Sequence, residues 1–263
     1  MIHPRIISLL PSATEIVAAL GFADHLVGRS HECDFPPGVE QLPVCSSSKV
    51  PAHGSSHEID ERVKQIVAEG LSVYRVDADL LRQLEPDLVL TQTQCAVCAV
   101  TPRDLDQALC NWTGTQPTIL SLEPNNLSDV WLDIRRVGDV LGVPERGNKL
   151  LDSLRQRLDI IRGETISIKN RPRVAAIEWL GPLMAGGNWM PELIEIAGGR
   201  SLLALPGQHS PSLEWSDLID GHHFFNRPGP RLVESAEIVA EILYSDRFEF
   251  GHHGKGWIAL SEV

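Results

Sequence analysis

One long helical segment, from Asn125 to Arg162, constrains the fold of this chain more than any other part of the sequence. Its first part repeats apolar residues at the spacing of a single helical stripe, namely Leu127, Val130, Trp131, Ile134, Val137, Val140 and Leu141. Gly142 supplies a C-terminal cap, and Pro144 suits the first turn of a second helix. That second helix is about 28 Å long, so the sequence predicts a rigid connection between two small domains.

Short strand and helix patterns alternate on both sides of this connection. Buried apolar runs such as Arg5–Leu10 and Asp87–Leu90 precede it, and a further run begins at Arg173. Such alternation is typical of parallel sheets flanked by helices. We therefore predict an α/β protein with two lobes, each a mostly parallel sheet flanked by helices, joined by one long helix. The expected ranges are 1–124 for the N-terminal lobe, 125–165 for the connecting helices and 166–263 for the C-terminal lobe.

The composition argues against several classes of partner. The formal net charge of −12 disfavours nucleic acid and anionic membrane surfaces, because both attract basic proteins. No apolar run approaches the roughly 18 residues of a membrane span. The N-terminus lacks the pattern of a secretory signal, and five cysteines are an odd number for a disulfide framework. These two features predict a cytoplasmic protein, or a periplasmic or membrane-associated one if Met1 is not the native start.

Polar side chains follow the first two predicted strands. Ser12 and Glu15 have the spacing of a capping box, which serves either as a helix cap alone or as part of a ligand site at a strand end. His31, Glu32 and Cys33 belong to a second polar loop. Structural zinc sites usually repeat their ligand pairs, so we interpret this loop as one that faces a cleft.

The segment that follows Asp87–Leu90 is rich in amides and thiols. Gln92 and Gln94 offer hydrogen bonds without charge at the carboxyl end of a strand. Cys95 and Cys98 form a C-x-x-C pair, a spacing that is typical of a redox dithiol or of half a metal site. Small thiols packed in the wall of a cleft are the third interpretation.

The second half of the chain carries a further set of strand-end residues. Trp179 and Met184 present broad apolar surfaces suited to a large flat ligand, or serve as ordinary core residues. The glycines of Leu180–Asn188 predict a loop, and this loop matches neither common phosphate-binding template, which argues against nucleotide binding. Ser210 lies in another polar loop, and we expect the histidines around His252 to be solvated or hydrogen-bonded.

Several motifs, in a fixed order along nearly the whole chain, resemble a known family. The matching segments are RIISLLPSATEIVAALG, HECDFPP, EPDLVLTQTQCAVCAV, RVAAIEW with AGGN and IAGG, SPSLEW, and FFNRPGPRLVESAEIVAEIL. They resemble the class III solute-binding proteins, and among these the cobalamin-binding proteins related to the substrate-binding component of the vitamin B12 ABC importer. The resemblance implies two α/β lobes joined by one rigid helix, with the ligand between them.

The resemblance also implies ligand contacts on the loops at the strand ends. Together with the polar positions named above, the candidate ligand-binding residues are Ser12, Glu32, Gln92, Gln94, Cys95, Trp179, Met184, Ser210 and Arg227. Relatives in the family carry a further β-α unit at the position where Ile219 and Gly221 almost adjoin here. We therefore expect the second lobe to be short by about one such unit.

These observations predict a non-catalytic protein that binds cobalamin or a related corrinoid in the cleft between its lobes. It would need no catalytic cofactor and no metal ligands of its own, and an ABC transporter permease is a further expected partner. One alternative is a binder of another metal chelate, such as a ferric siderophore or haem. The other is a thiol enzyme that uses Cys95 or Cys98, although no partner base is evident beside them.

Overall fold

The protein consists of two compact units. A computed structural model describes residues 3–51, 53, 55–68, 73–92, 105, 116–180, 182–213 and 228–257. Unit 1 comprises Met1–Glu123 and Asp133–Gly147, and unit 2 comprises Pro124–Leu132 and Asn148–Val263. The predicted α/β class is confirmed, while the lobe boundaries given above stay a prediction.

Unit 1 is built on a parallel sheet. In chain order its described strands are β1 (Ile6–Ser8), β2 (Leu26–Arg29), β3 (Ser46–Ser48), β4 (Tyr74–Val76), β5 (Leu88–Gln92) and β6 (Thr118–Leu122). Four of them form a sheet in the order β2-β1-β5-β6, and every neighbouring pair is parallel. Strands β3 and β4 form a separate antiparallel pair. The central strands β1 and β5 are buried along their whole length, as expected for a parallel sheet covered on both faces.

Helices and short turns complete the described part of unit 1. They are α1 (Pro11–Ala19), α2 (Ser56–Ala68) and α3 (Ala78–Leu84), with single 3-10 turns at Ala23–His25 and Val39–Gln41. Apolar residues from the strands and the helix α3 share one core, which includes Ile7, Leu9, Cys45, Val73, Leu81, Val89 and Leu105. This core holds the sheet in place beneath the loops at its carboxyl edge.

The connecting segment forms two helices. They are α4 (Leu127–Val140) and α5 (Pro144–Thr165). Val130, Ile134 and Val137 of the predicted stripe are fully buried, and Gly142 has a φ of +70°, which suits a glycine that ends a helix. The division between the two units falls inside both helices, after Leu132 and after Gly147. Among the described residues, no helix combines the length and the apolar character that a membrane crossing requires.

Unit 2 combines parallel and antiparallel strand pairs. Its described strands are β7 (Arg173–Val174), β8 (Ile177–Leu180), β9 (Leu183–Ala185), β10 (Arg200–Ser201) and β11 (Ser212–Leu213), and its further helices are α6 (Met190–Ile196) and α7 (Leu232–Leu243). Strands β7 and β10 pair in parallel, whereas β9 lies between β8 and β11 and is antiparallel to both. The larger described sheet of unit 2 is therefore antiparallel, whereas the sequence predicted a mostly parallel sheet in each lobe.

The antiparallel hairpin corrects one sequence prediction. The segment Leu180–Asn188 was expected to be a loop because of its glycines, but it contains β9. Buried Leu183 and Ala185 alternate with half-buried Met184, which is a strand pattern only three residues long. The predicted loss of a β-α unit concerns the region around Ile219, which lies outside the described residues.

Buried carboxylates on α7 hold the segment that follows it. Glu241 is 3% exposed, and its Oε1 accepts the backbone N–H groups of Phe250, Gly251 and His252. Its Oε2 accepts the indole N–H of Trp257 at 2.9 Å. One turn earlier, Glu237 pairs with Arg157 at 2.7 Å and with Nε2 of His252 at 3.0 Å. The expected hydrogen-bonded role of His252 therefore holds.

Candidate functional site

The carboxyl edge of the unit 1 sheet gathers the polar residues that the sequence placed at strand ends. Because β1, β2, β5 and β6 are parallel, their last residues lie at one edge, namely Ser8, Arg29, Gln92 and Leu122. Ligands of open α/β sheets usually bind outside this edge. The loops that follow these strands therefore form the candidate site of unit 1.

Ser12 lies at this edge, but not as a helix cap. Helix α1 begins at Pro11 and its N-cap is Leu10, with no side-chain capping hydrogen bond. Ser12 and Glu15 are each 3% exposed and lie within the first turn and a half of the helix. The predicted capping box is therefore wrong, because Pro11 occupies the first helical position and the N-cap is Leu10, two residues before the expected Ser12.

The loop after β2 is tied closely to its surroundings. Nη1 of Arg29 donates to the carbonyl oxygens of Ser30 and Cys33 at 3.0 and 3.1 Å, and Nη2 donates to that of Glu40 at 3.0 Å. The N–H of Ser30 donates to the carbonyl oxygen of Ser8 at 2.8 Å, which attaches the loop to β1. The guanidinium of Arg29 thus fixes the backbone of this loop through three carbonyl oxygens, and we do not assign it to ligand binding.

Glu32 stands exposed on this loop. Its carboxylate accepts the phenol O–H of Tyr74 at 3.3 Å, and its backbone N–H donates to Oγ of Ser30 at 3.2 Å. A carboxylate has several acceptor positions on its two oxygens, so Glu32 remains able to accept a further hydrogen bond from a ligand. This placement agrees with a role at the rim of the site.

His31 is the residue of this loop that sequence reasoning set aside together with the zinc interpretation. Its Nδ1 lies 3.0 Å from Oγ of Ser46, and its backbone N–H donates to the same oxygen at 3.3 Å. Ser46 in turn donates to Oγ of Ser30 at 3.2 Å, and the rings of His31 and Tyr74 lie 5.6 Å apart. The pairing of β3 with β4 brings Ser46 and Tyr74 to this loop, a contact that local sequence spacing does not reveal.

The two described cysteines of unit 1 are packing residues. Burial raises the pKa of the Cys33 thiol to about 11, against smaller lowering effects of Thr14 and Arg29. Burial likewise raises the pKa of the Cys45 thiol to about 12. The thiolate is the reactive form of cysteine, so neither side chain is suited to nucleophilic or redox chemistry at neutral pH.

Gln92 ends β5 and is 7% exposed, opposite Leu122 of β6. Its amide therefore stands at the carboxyl edge, where the sequence predicted it. The neighbouring candidates Gln94, Cys95 and Cys98 lie outside the described residues, as does Arg227 of unit 2.

In unit 2, Trp179 and Met184 face each other across the hairpin. They are paired residues of β8 and β9, and paired residues of antiparallel strands present their side chains on one face. Trp179 is 37% exposed, which leaves much of its ring accessible, and Met184 is half-buried beside it. The pair offers a broad apolar surface, as the sequence predicted.

Ser210 is 6% exposed and is held within unit 2 by its own hydroxyl group. Its Oγ donates to Oε2 of Glu178 and accepts the N–H of Gly187 at 3.2 Å. A Cβ atom on Gly187 would lie 2.4 Å from the carbonyl oxygen of Gln208, so only glycine fits this approach. Glu178 was missed in the sequence, although it directly precedes the nominated Trp179. It lies where the register between β8 and β9 shifts, and such an irregularity cannot be read from alternating side chains.

The described residues contain no group of three or more His, Cys, Asp or Glu side chains that could hold a metal ion. Cys33 and His31 of the predicted polar loop are instead engaged with Thr14 and Ser46, respectively.

Comparison with known proteins relates this chain to a family and to several of its members. Residues 6–220 match the model of the periplasmic binding protein family. An uncharacterized ABC transporter substrate-binding lipoprotein of Bacillus subtilis, YvrC, is 20% identical over 287 aligned positions, which cover 93% of this chain and 81% of that protein. The vitamin B12-binding protein of Vibrio cholerae is 27% identical over 207 aligned positions. That match covers 76% of this chain and 61% of the V. cholerae protein.

Solved structures show the same fold. The periplasmic vitamin B12 binding protein BtuF of Vibrio cholerae has a TM-score of 0.63 and 22% identity, with 94% of this chain and 98% of that chain covered. A periplasmic heme binding protein from Pseudomonas aeruginosa has a TM-score of 0.63 and 19% identity, with 94% of each chain covered. These similarities establish the fold, which is shared by proteins that bind different ligands.

The comparisons also overturn the predicted localisation. A cytoplasmic protein was expected from the N-terminus and the cysteine count, but the matching family is that of the periplasmic binding proteins, and one relative is a lipoprotein. The cysteine argument fails in physical terms because Cys33 and Cys45 are free, buried and apolar in behaviour, so they carry no information about a disulfide framework. With most of its length matched by the family model, the chain belongs to the periplasmic binding protein family.

Proposed function

We propose that the protein binds cobalamin or a related corrinoid, without chemical change, and delivers it to the permease of an ABC transporter. The observation that carries this proposal is the 27% identity with the V. cholerae vitamin B12-binding protein over 207 positions. The B. subtilis relative, an ABC transporter substrate-binding lipoprotein by description, supports the partner. The chain matches only 61% of the length of the V. cholerae protein, so ligand and partner are both proposed from part of it.

The chemistry of the nominated residues suits a corrinoid. A corrin is a large ring bordered by amide side chains, which favour neutral hydrogen-bonding partners and apolar contact over a charged pocket. In unit 1 the edge offers Ser12 and Gln92 in buried positions and Glu32 at the rim. In unit 2 the surface of Trp179 and Met184 provides the apolar contact.

The proposed contacts remain those nominated from the sequence, with one refinement. They are Ser12, Glu32, Gln92, Gln94, Cys95, Trp179, Met184, Ser210 and Arg227. Because the proton of the Ser210 hydroxyl is directed to Glu178, we assign Ser210 the role of an acceptor toward the ligand. The raised pKa values of Cys33 and Cys45 support a function without thiol chemistry at these two residues.

Isothermal titration of the purified protein with cyanocobalamin, dicyanocobinamide, haemin and a ferric siderophore tests the proposal. We expect saturable one-to-one binding of at least one corrinoid at micromolar concentration or tighter, and no comparable affinity for the siderophore. Binding of haemin alone would contradict the corrinoid and identify haem as the ligand. Binding of none of the four would contradict the proposed function.

A further inference from the structure

Two serine hydroxyl groups beside His31 accommodate the tautomer that carries its proton on Nδ1. Oγ of Ser46 lies 3.0 Å from Nδ1 of His31 and 3.2 Å from Oγ of Ser30. Both contacts are hydrogen bonds when Nδ1 donates to Ser46 and the hydroxyl of Ser46 donates to Ser30. A neutral imidazole in this arrangement presents a lone pair on Nε2.

This tautomer is the form in which histidine binds metals. Metal-binding histidines commonly donate their other ring N–H to an oxygen of the protein, which fixes the orientation of the ring and raises the basicity of the ligating nitrogen. Ser46 supplies that oxygen here, and Ser30 orients Ser46. The backbone N–H of His31 adds a second contact to Ser46 at 3.3 Å, so both ends of the residue are fixed.

The position of the ring is equally well defined. Tyr74 packs against it with a centroid separation of 5.6 Å, and the loop that carries it is attached to Arg29 and to β1. His31 is half-buried, which leaves part of its side chain accessible at the carboxyl edge of the sheet. The exposed carboxylate of Glu32, the next residue, would favour a positively charged group nearby.

A single histidine is a weak site for a free metal ion, but it is a sufficient ligand for a metal that already sits in a macrocycle. A corrin supplies four equatorial nitrogen atoms and leaves its axial positions to exchangeable ligands. One preorganised imidazole at the rim can then replace an axial water without help from other side chains.

From these observations we infer that His31 coordinates the central metal of the bound corrinoid through Nε2. The inference rests on the proposed function and adds to it one residue and one bond. The step is a ligand substitution in which the bond from cobalt to water breaks, the bond from cobalt to Nε2 forms and water leaves. No electron is transferred, and the proton on Nδ1 stays in its hydrogen bond to Ser46.

Diaquocobinamide is the probe of choice because both of its axial waters exchange. We expect the wild-type protein to shift the visible absorption bands of this probe toward those of its imidazole complex. After reduction to cob(II)inamide, an axial nitrogen should split each cobalt line of the electron paramagnetic resonance spectrum into a triplet. This signature identifies the donor atom and needs no variant, so it remains decisive if a substitution disturbs folding.

Three variants locate the donor. His31→Ala should abolish the band shift and the triplet and weaken binding about tenfold, whereas Ser46→Ala should keep the ligand but weaken the shift. His53→Ala is the matched control, because His53 is an exposed histidine of unit 1 whose carbonyl oxygen, a backbone atom, accepts the hydrogen bond from Arg62. It should behave as the wild type in every measurement.

Equilibrium dialysis with the same probe separates this inference from the proposed function. Binding with a nitrogen signature that His31→Ala alone removes supports both. Binding without any nitrogen signature, or with one that survives in His31→Ala, overturns the role of His31 and leaves corrinoid binding intact. Absence of binding in the folded wild-type protein overturns both.

Discussion

The two units hold their functional loops by different chemistry. In unit 1, neutral hydroxyl groups and backbone carbonyl oxygens fix the loop after β2, through Ser30, Ser46 and the guanidinium of Arg29. In unit 2 the acceptors are carboxylates: Glu178 accepts the hydroxyl proton of Ser210, and Glu241 accepts backbone N–H groups of the segment after α7. A charged acceptor makes stronger hydrogen bonds than a neutral one, but it is costly to leave buried without donors. Unit 2 should therefore be the unit more sensitive to truncation and to acid.

Replacement of Glu241 by alanine should have the largest effect. Glu241→Ala leaves three backbone N–H groups and the indole of Trp257 without their acceptor, and we expect a loss of about 3 kcal/mol in the free energy of unfolding. Urea denaturation followed by circular dichroism measures it. Glu164→Ala, at an exposed position of α5, is the control and should change stability by less than about 0.5 kcal/mol. Equal effects of the two substitutions would contradict the special role of Glu241.

Gly187→Ala should be the next most damaging change. The new Cβ would lie 2.4 Å from the carbonyl oxygen of Gln208 and 2.6 Å from the nitrogen of Ser210, so backbone must move. We expect a loss of about 2 kcal/mol in unfolding free energy. Gly163→Ala is the matched control, because no described neighbouring atom lies within 4 Å of its added Cβ in α5, and it should gain about 0.5 kcal/mol. A tolerated Gly187→Ala would show that the loop between β9 and α6 is not closely packed.

Trp179→Ala should reduce ligand binding while leaving stability nearly unchanged. The ring is 37% exposed in the free protein, so its loss costs little in folding but removes apolar contact area from the proposed corrinoid site. We expect a tenfold to hundredfold weaker affinity, or about 1.5 to 3 kcal/mol, in isothermal titration. Leu180→Ala, on the same strand and 55% exposed, is the control and should keep wild-type affinity. Unchanged affinity of Trp179→Ala would remove this surface from the site.

Acid should act on unit 2 through Glu241. Burial alone would raise the pKa of Glu241, but the hydrogen bonds from Trp257, His252, Gly251 and Phe250 together bring it below its ordinary value. A pKa that folding lowers stabilises the protein above the pKa of the unfolded chain, and this stabilisation is lost as the pH falls through the folded value. We expect the urea midpoint of the wild type to fall below about pH 4.5 more steeply than that of Glu241→Gln. Parallel profiles would contradict this assignment.

Tyr74→Phe should have the smallest effect. The phenol O–H donates to Glu32 at 3.3 Å, and because this carboxylate is exposed, water can replace the lost hydrogen bond. We expect a loss of about 0.5 kcal/mol in unfolding free energy by urea denaturation. A loss as large as that of Glu241→Ala would break the contrast between the two units.

The sequence predicted the parts of the fold that depend on local pattern. The buried stripe of α4, its end at Gly142 and the buried strand β5 follow from apolar spacing and a glycine cap, and all three appear in the structure. Gln92 likewise ends β5, and Trp179 is the penultimate residue of β8, one residue before the strand end. These features require no knowledge of residues distant in the chain.

The parts that were missed depend on distant residues. Strand β9 forms because β8 and β11 pair with it, although its three residues stand in a glycine-rich segment. The bond from Ser210 to Glu178 spans 32 positions, and that from His31 to Ser46 spans 15. Sequence spacing contains no signal for either contact, because each arises only when separate strands meet.

The paired carboxylates of α7 bear on how unit 2 is completed during synthesis. Glu237 and Glu241 stand one helical turn apart, and two ionised groups at that spacing repel each other. Arg157 becomes available early, but the donors for Glu241 belong to residues 250–257. A nascent chain that has reached only the end of α7 therefore has a partner for Glu237 but none of the hydrogen-bond donors of Glu241. The ribosome must release the following residues before the helix can be buried with both carboxylates hydrogen-bonded.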